Sequence, residues 1–437
     1  MRSMPRENRP VIYEPEAETR PRERLRALQT DRLRALIAYV KERVPLYRQR
    51  LRDAEPEDIA TLDDLRGLPF TRKDDLRDTY PFGMFAVPRD EVIRIHASSG
   101  TTGKLTVVGY TAADVDLFAR VNARCLAMAG AGPGMTLHNA YGYGLFTGGL
   151  GLHAGGERLG MAVVPVSGGL TERQLMLIED FRPDVISCTP SYALTLAQAF
   201  AERGVAPEQI SLSRAVLGAE PWTAEMRREV DAGLGVVSTN IYGLSEVIGP
   251  GVSCECVEER AGMHVNEDHF LPEIVDPETG EPVADGAEGV LVFTTLTKEA
   301  LPLIRYWTGD ITSLSSEPCA CGRTLARMGR ITGRADDMLI IRGVNVFPTQ
   351  VEAALLQLQE LTPNYRIVVS RSGTLDEAEV EVEVAEELVG DAGLRARAER
   401  VLRETIGCSI AVTLAAPGTV PRSEGGKLER VVDRRGA

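Results

Sequence analysis

The chain has no apolar run approaching the roughly 18 residues that a membrane-crossing helix needs. Its first residues, M-R-S-M-P-R-E-N-R-P-V-I-Y, hold no apolar stretch of signal-peptide length. Neither a membrane span nor an export signal is expected, and the cytoplasm is the expected compartment. Cysteine is scarce and odd in number, seven in 437 residues, which argues against a disulfide framework. Positive charge is in deficit, with 49 Lys and Arg against 63 Asp and Glu and a formal charge of -14. An acidic surface repels nucleic acid and anionic lipid, so neither is an expected partner, and any bound anion needs a local site. Internal repeats and low-complexity tracts are also missing.

What is present is enough chain for two cores rather than one. The organising stretch is residues 95–110, I-H-A-S-S-G-T-T-G-K-L-T-V-V-G-Y. Short apolar runs flank a loop of Ser98, Ser99, Gly100, Thr101, Thr102, Gly103 and Lys104 at a strand-turn-strand apex. Glycines let a backbone approach an anion and turn its N-H groups toward it, hydroxyls add donors, and the lysine adds one full charge. A Walker A loop is excluded, because Ser98 and Leu105 stand where that motif needs Gly and Ser or Thr. By itself the segment reads equally as a plain hairpin.

Leu25, Leu28, Leu33, Ile37 and Val40 space out an amphipathic helix or helix pair from Pro21 to about Arg43, and the polar residues 1–20 are expected to lie extended over the surface. Thr111 is a candidate N-cap for a helix to Ala129. Eight glycines between Asn139 and Gly160 argue against a regular helix there, leaving a flexible loop or the wall of an aromatic pocket around Tyr141, Tyr143 and Phe146. From Ala162 to Ile241, strand-like and helix-like runs alternate, which predicts an α/β layer with parallel strands. Two of these strands run into Gly218-Ala219-Glu220-Pro221 and Tyr242-Gly243-Leu244-Ser245-Glu246, and such carboxyl-end turns are where open α/β sheets bind ligands. Residues 252–330 read as a β-rich subdomain. A boundary is expected at 335/336, followed by a small α+β domain, 336–437, ending in a glycine-flanked loop with Lys427.

Taken in order, S-S-G-T-T-G-K (98–104), A-Y-G-Y-G-L-F-T-G-G-L-G (140–151), L-G-A-E-P-W (217–222), I-Y-G-L-S-E (241–246), Y-W-T-G-D (306–310), G-R-A-D-D-M-L-I-I-R-G-V-N-V-F-P (333–348) and R-S-E-G-G-K (422–427) resemble the adenylate-forming enzymes. Within them the chain is similar to the phenylacetate-CoA ligases, from about Pro21 to the C-terminus. The resemblance implies a large N-terminal adenylation domain, 1–335, and a mobile C-terminal lid. It also implies a two-step reaction in which a carboxylate attacks the α-phosphorus of ATP, giving acyl adenylate and pyrophosphate, and the CoA thiol then attacks the adenylate.

The roles it carries over are these. The 98–104 loop would hold the β- and γ-phosphates, and Glu246 would ligate Mg²⁺, which favours carboxylate and phosphate oxygens. Adenine would lie against Gly218, Ala219, Glu220, Pro221, Ile241, Tyr242, Gly243 and Ser245. Asp310, with Arg334, would take the ribose hydroxyls. Lys427 would stand between the substrate carboxylate and the α-phosphate, with Asp336 as the hinge that withdraws it and brings residues 341–345 to the CoA channel. Tyr141, Tyr143, Phe146, Gly218, Ala219, Ile248 and Pro250 would select the acid. The family pattern G-A-H-Y-G-A-E is replaced here by Gly151, Leu152, His153, Ala154, Gly155, Gly156 and Glu157, which leaves room for aryl acids other than phenylacetate. A homodimer is implied by the resemblance alone.

Two Cys-x-Cys pairs, Cys254 with Cys256 and Cys319 with Cys321, plus His264, offer five ligands where Zn²⁺ needs four. From relatives that keep a cysteine equivalent to Cys256 without a metal site, the expected set is Cys254, His264, Cys319 and Cys321, with His269 the rival imidazole. Competing functions are acyl loading of a carrier protein, a nucleotide-dependent phosphotransferase that leaves Lys427 without a task, and a zinc-stabilised binding protein.

Overall fold

The computed structural model describes residues 11–98, 105–335, 339–341, 344–372, 375–422 and 430–435. Strands β1 (Arg94–Ser98) and β2 (Thr106–Tyr110) form the expected antiparallel hairpin, with Ser98 opposite Thr106 at its mouth. The loop they flank, 99–104, lies outside the described residues.

The alternating segment folds into parallel strands β3 (Thr136–Asn139), β4 (Ala162–Pro165), β5 (Val185–Cys188), β6 (Arg214–Gly218) and β7 (Val237–Leu244). Helices cover both faces of this sheet, so its central strands carry near-continuous buried runs. Threonine begins three of the helices. The hydroxyls of Thr111, Thr189 and Thr223 accept from the N-H groups of Asp114, Tyr192 and Met226, satisfying a donor that the first helical turn leaves unpaired.

The glycine-rich stretch departs from expectation. Gly148–Arg158 is a helix, packed against the helix Ala112–Met128. A Cβ on Gly151 would lie 2.3 Å from the Phe118 ring, and one on Gly155 2.4 Å from Asn122 Cβ. Close packing over that bare face offsets a propensity cost of about 1 kcal/mol for each glycine. Residues 11–20 also differ. Pro15–Glu18 is a short helix whose buried Glu18 pairs with Arg323 at 2.6 Å, both side chains fully enclosed.

The β-rich region is divided between two sheets. Strands β8 (Gly249–Glu255) and β9 (Met263–Val265) continue the large sheet past β7, whereas β10 (Phe270–Val275), β11 (Gly289–Thr295) and β12 (Tyr306–Thr312) begin a second, antiparallel one. Strands β13 (Leu314–Ser315) and β14 (Arg327–Met328) return to the edge of the first, making nine strands, and β15 (Gly333–Arg334) closes the second at four. A single residue register, Asp310 opposite Arg334 between β12 and β15, fixes one corner of the site.

The remaining strands are β16 (Leu339–Ile341), β17 (Val344–Val346), β18 (Tyr365–Ser372), β19 (Leu375–Glu383), β20 (Ala411–Ala415) and β21 (Val431–Asp433). The last four form a sheet in the order β20-β19-β18-β21, and the helices Pro348–Leu355 and Ala392–Ile406 pack with it around a separate apolar core that includes Ile341, Val351, Ile367, Val380, Leu402 and Val412. This small unit meets the large one where the Phe347 ring fills the space over Gly333 and the Thr349 hydroxyl donates to the Thr332 carbonyl. Among the described residues, no helix is long and apolar enough to cross a membrane.

Candidate active site

Three chain reversals at the carboxyl ends of β6 and β7 and along β12 converge. Gly218 ends β6 directly beside the next strand, where an added Cβ would lie 2.0 Å from the Ile241 carbonyl oxygen. Ala219 then turns the chain with φ of 72°, a left-handed conformation that side chains usually avoid. The turn is held by Glu220, whose carboxylate accepts from the Ser191 N-H at 3.3 Å.

From β7, Tyr242 reaches β12. Its hydroxyl donates to Asp310 Oδ2 at 2.6 Å, while Arg334 donates to Asp310 Oδ1 at 2.9 Å and to the Thr308 carbonyl at 3.3 Å. Burial, and next the adjacent Asp310 charge, push the Tyr242 phenol well above its ordinary value, so it stays a donor. A carboxylate offers about four lone-pair sites. Both oxygens of Asp310 are engaged, one by a donor from β7 and one by a donor from β15. The pairing of β12 with β15 builds the Asp310 and Arg334 corner of this triangle.

Glu246 is buried two residues beyond the end of β7. The Tyr306 phenol is buried beside its carboxylate, burial first and then the Glu246 charge pushing the phenol well above its ordinary value, and Lys298 Nζ donates to its backbone carbonyl at 3.2 Å. Ser245, beside it, shares a hydrogen bond with Thr147 at 3.2 Å, tying this turn to the glycine-rich segment. That segment is in turn fastened to β1, since the Leu145 carbonyl accepts from Ala97 N-H and from His96 Nδ1, each at 3.0 Å. At the mouth of the hairpin the hydroxyls of Ser98 and Thr106 are buried with no hydrogen-bond partner among the described residues.

The residues expected to select the acid divide. Tyr141 is buried with its hydroxyl beside the Gly218 backbone, and Ile248 is fully buried, its carbonyl accepting from Tyr110 at 2.9 Å. Tyr143 is fixed by Asn139 Nδ2, which donates to its hydroxyl at 2.6 Å, and by His153 Nδ1 at 3.1 Å. Burial pushes its phenol up to about 12. Pro250 pairs with Gly243 across the β7-β8 turn. Phe146 is not gathered in: its side chain is 57% exposed. Ser99, Gly100, Thr101, Thr102, Gly103, Lys104, Asp336 and Lys427 lie outside the described residues.

The cysteine cluster corrects the expectation. Cys256, His264, Cys319 and Cys321 are all buried, and their ligand atoms lie within 4.8 Å of one another. Cys256 Sγ stands 3.5 Å from Cys319 Sγ, and Cys321 Sγ 3.4 Å from His264 Nε2. Cys254, opposite His264 in the β8-β9 ladder, instead points its Sγ at the Cys125 carbonyl, 3.5 Å away, within the apolar core. Cys256 lies where the chain has left β8, so it is free to turn toward the 319–321 loop. His269 belongs to another cluster, with Thr297 at 2.8 Å and Asp268 at 3.2 Å. Hydrogen bonding from Cys256, and then His264, lowers the Cys321 thiol and favours a thiolate. Tetrahedral Zn²⁺ with bonds of about 2.3 Å spaces its sulfurs by about 3.8 Å. The cluster matches that spacing closely, and the four donors suit zinc.

Sequence reading missed Cys256, Lys298 and the part played by Tyr306. Tyr306 stood inside a quoted motif but carried no role. Lys298, in T-L-T-K-E-A, is one lysine among many until the fold buries it.

A hairpin flanking a Ser/Thr/Gly segment, a buried carboxylate after β7, a carboxylate-tyrosine-arginine triangle and a small separate C-terminal unit together match the adenylate-forming class. The chain belongs to the AMP-binding enzyme family, whose model matches residues 16–296, with the model of the AMP-binding enzyme C-terminal domain matching residues 343–435. Within that family it groups with phenylacetate-coenzyme A ligases. It is 65% identical to the one of Thermus thermophilus over 97% of this chain and 100% of the relative, and 51% identical to that of Pseudomonas putida over 96% of each. Among solved structures, 2-hydroxyisobutyryl-CoA ligase in the postadenylation state superposes with a TM-score of 0.91 at 28% identity, covering 99% of this chain and 94% of that one. The same enzyme with CoA in the thioesterification state gives 0.74 over the same shares at 29% identity.

Proposed function

We propose that the protein is an ATP-dependent aryl acid-CoA ligase whose acid is phenylacetate. The supporting observation is the 65% identity, over 97% of this chain and 100% of the relative, to a phenylacetate-coenzyme A ligase. In the first half-reaction the acid oxygen attacks the α-phosphorus and pyrophosphate leaves. Two anions must meet, so fixed positive charge is the main requirement, and Lys427 supplies it. The 98–104 loop holds the terminal phosphates. Glu246 is the carboxylate for Mg²⁺, which when bound neutralises the polyphosphate. Asp310, oriented by Tyr242 and Arg334, holds the ribose, and the Gly218-Ala219 turn and Tyr242 flank the adenine. Tyr141, Tyr143, Ile248 and Pro250 line the acid site. In the second half-reaction the CoA sulfur attacks the acyl carbon, AMP leaves, and the thiol proton passes to solvent. The lid, 336–437, turns about Asp336 between the two steps.

Cys256, His264, Cys319 and Cys321 form a structural zinc site, since four protein ligands close the coordination shell. All seven cysteines are unpaired, as a reducing cytoplasm would keep them. Assembly as a homodimer rests on the family likeness alone.

The test is pyrophosphate release over a panel of aryl acids, with and without CoA. Phenylacetate should give the highest kcat/KM, AMP should accumulate with CoA present, and phenylacetyl-CoA should form with free CoA. ADP as the product, or transfer to a carrier protein only, would sink the reading.

A further inference from the structure

Lys298 is a buried cation that the proposed reaction leaves without a task. Its side chain is 2% exposed, an unusual state for an ammonium. The loop that carries it is built with care. Asp114, at the start of the helix Ala112–Met128, accepts from the N-H groups of Glu299 at 2.8 Å and Ala300 at 2.9 Å, as well as from Thr111 within its own capping box. The Thr111 hydroxyl reaches the Glu299 carboxylate at 2.8 Å, and the Ala300 carbonyl accepts from Ala86 at 3.0 Å. With both following residues fastened, Lys298 has little choice of direction. Its ammonium lies 4.8 Å from the centre of the Tyr110 ring, on the cation-attracting face, and donates to the Glu246 carbonyl. Burial lowers it to about 8, opposed by the charges of Asp114 and Glu246.

The main chain of Glu246 is therefore held by Lys298, while its carboxylate lies beside the buried Tyr306 phenol. We propose that Lys298 is a positioning residue for adenylation, holding the turn after β7 so that the Glu246 carboxylate faces the magnesium-polyphosphate site, with no part in thioester formation. This rests on the ligase reading above. A hydrogen bond from a charged donor to a buried carbonyl is strong, and an unpaired buried carbonyl can relax only by moving its turn.

The experiment compares wild type, Lys298→Met, which keeps length and loses charge and donor, Lys298→Gln, which keeps a donor, Tyr306→Phe, and the double variant Lys298→Met with Tyr306→Phe. Each is assayed for pyrophosphate release across a Mg²⁺ series and, separately, for thioester formation from preformed phenylacetyl adenylate and CoA. Lys298→Met should lose about 10- to 100-fold in adenylation kcat/KM for ATP, with a raised Mg²⁺ requirement. Its thioester step should stay within about twofold, Lys298→Gln should recover part of the loss, and Tyr306→Phe should be less than additive with Lys298→Met. Equal loss in both half-reactions, no loss in adenylation, or failure of both lysine variants to fold would overturn the proposal. A wild type that releases no pyrophosphate with any acid would instead sink the ligase reading.

Discussion

At the residue scale, the cysteines are the sharpest case of a pattern that sequence could half read. Two Cys-x-Cys pairs and a histidine were enough to mark a candidate metal cluster, but five candidate ligands for four positions left the choice to geometry. Strand alternation does not separate residues two apart, so Cys254 and Cys256 are equivalent on paper. They differ because β8 ends at Glu255, leaving Cys254 locked in the ladder against the Ala112–Met128 helix while Cys256 turns to Cys319. Cys256→Ser should therefore reduce zinc affinity by more than the roughly 10- to 100-fold that loss of an outer-shell partner costs. Cys254→Ser should retain the metal. Zinc content of the purified variants by mass spectrometry checks both, and retention by the first with loss by the second would restore the original assignment.

At the element scale, glycine carries opposite meanings that only packing separates. In 139–160 glycine density was read as a helix breaker, yet Gly151 and Gly155 are what let one helix lie against Phe118 and Asn122 of another. Gly218 serves a different end, allowing β6 to close on the backbone of β7 where the proposed adenine turn begins. Gly218→Ala should cost about 1–3 kcal/mol, because a methyl group 2.0 Å from the Ile241 oxygen must displace main chain rather than a pliable side chain. Urea unfolding measures that loss. The KM for ATP should rise in the same variant, since the displaced strand end is the proposed adenine wall. Stability unchanged would mean that the turn has slack that this packing does not suggest.

At the scale of the whole molecule, two units have separate cores, and the proposed site draws residues from both. The arrangement superposes better on the postadenylation form of the 2-hydroxyisobutyryl enzyme than on its thioesterification form, 0.91 against 0.74 over the same share of the chain. On the proposed assignments, Lys427→Ala should lower pyrophosphate release by about 10²-fold or more while leaving thioester formation from preformed adenylate within a few-fold. Quenched-flow assays of the separate half-reactions decide this, and equal losses would remove the lysine from its assigned step.

The order of motifs, the alternation of strands and helices and the acidic balance were written in the sequence. They sufficed for the class of fold and the family, because these depend on local turn chemistry and on spacing along the chain. Only the tertiary structure decided which cysteine joins the cluster, that Phe146 is exposed, that residues 11–20 dock through Glu18, and that Lys298 lies beneath Glu246. Each of those facts is a contact between segments far apart in the chain or a choice between equivalent neighbours. Where a side chain loses its water is settled by what packs against it, and linear order does not encode that directly.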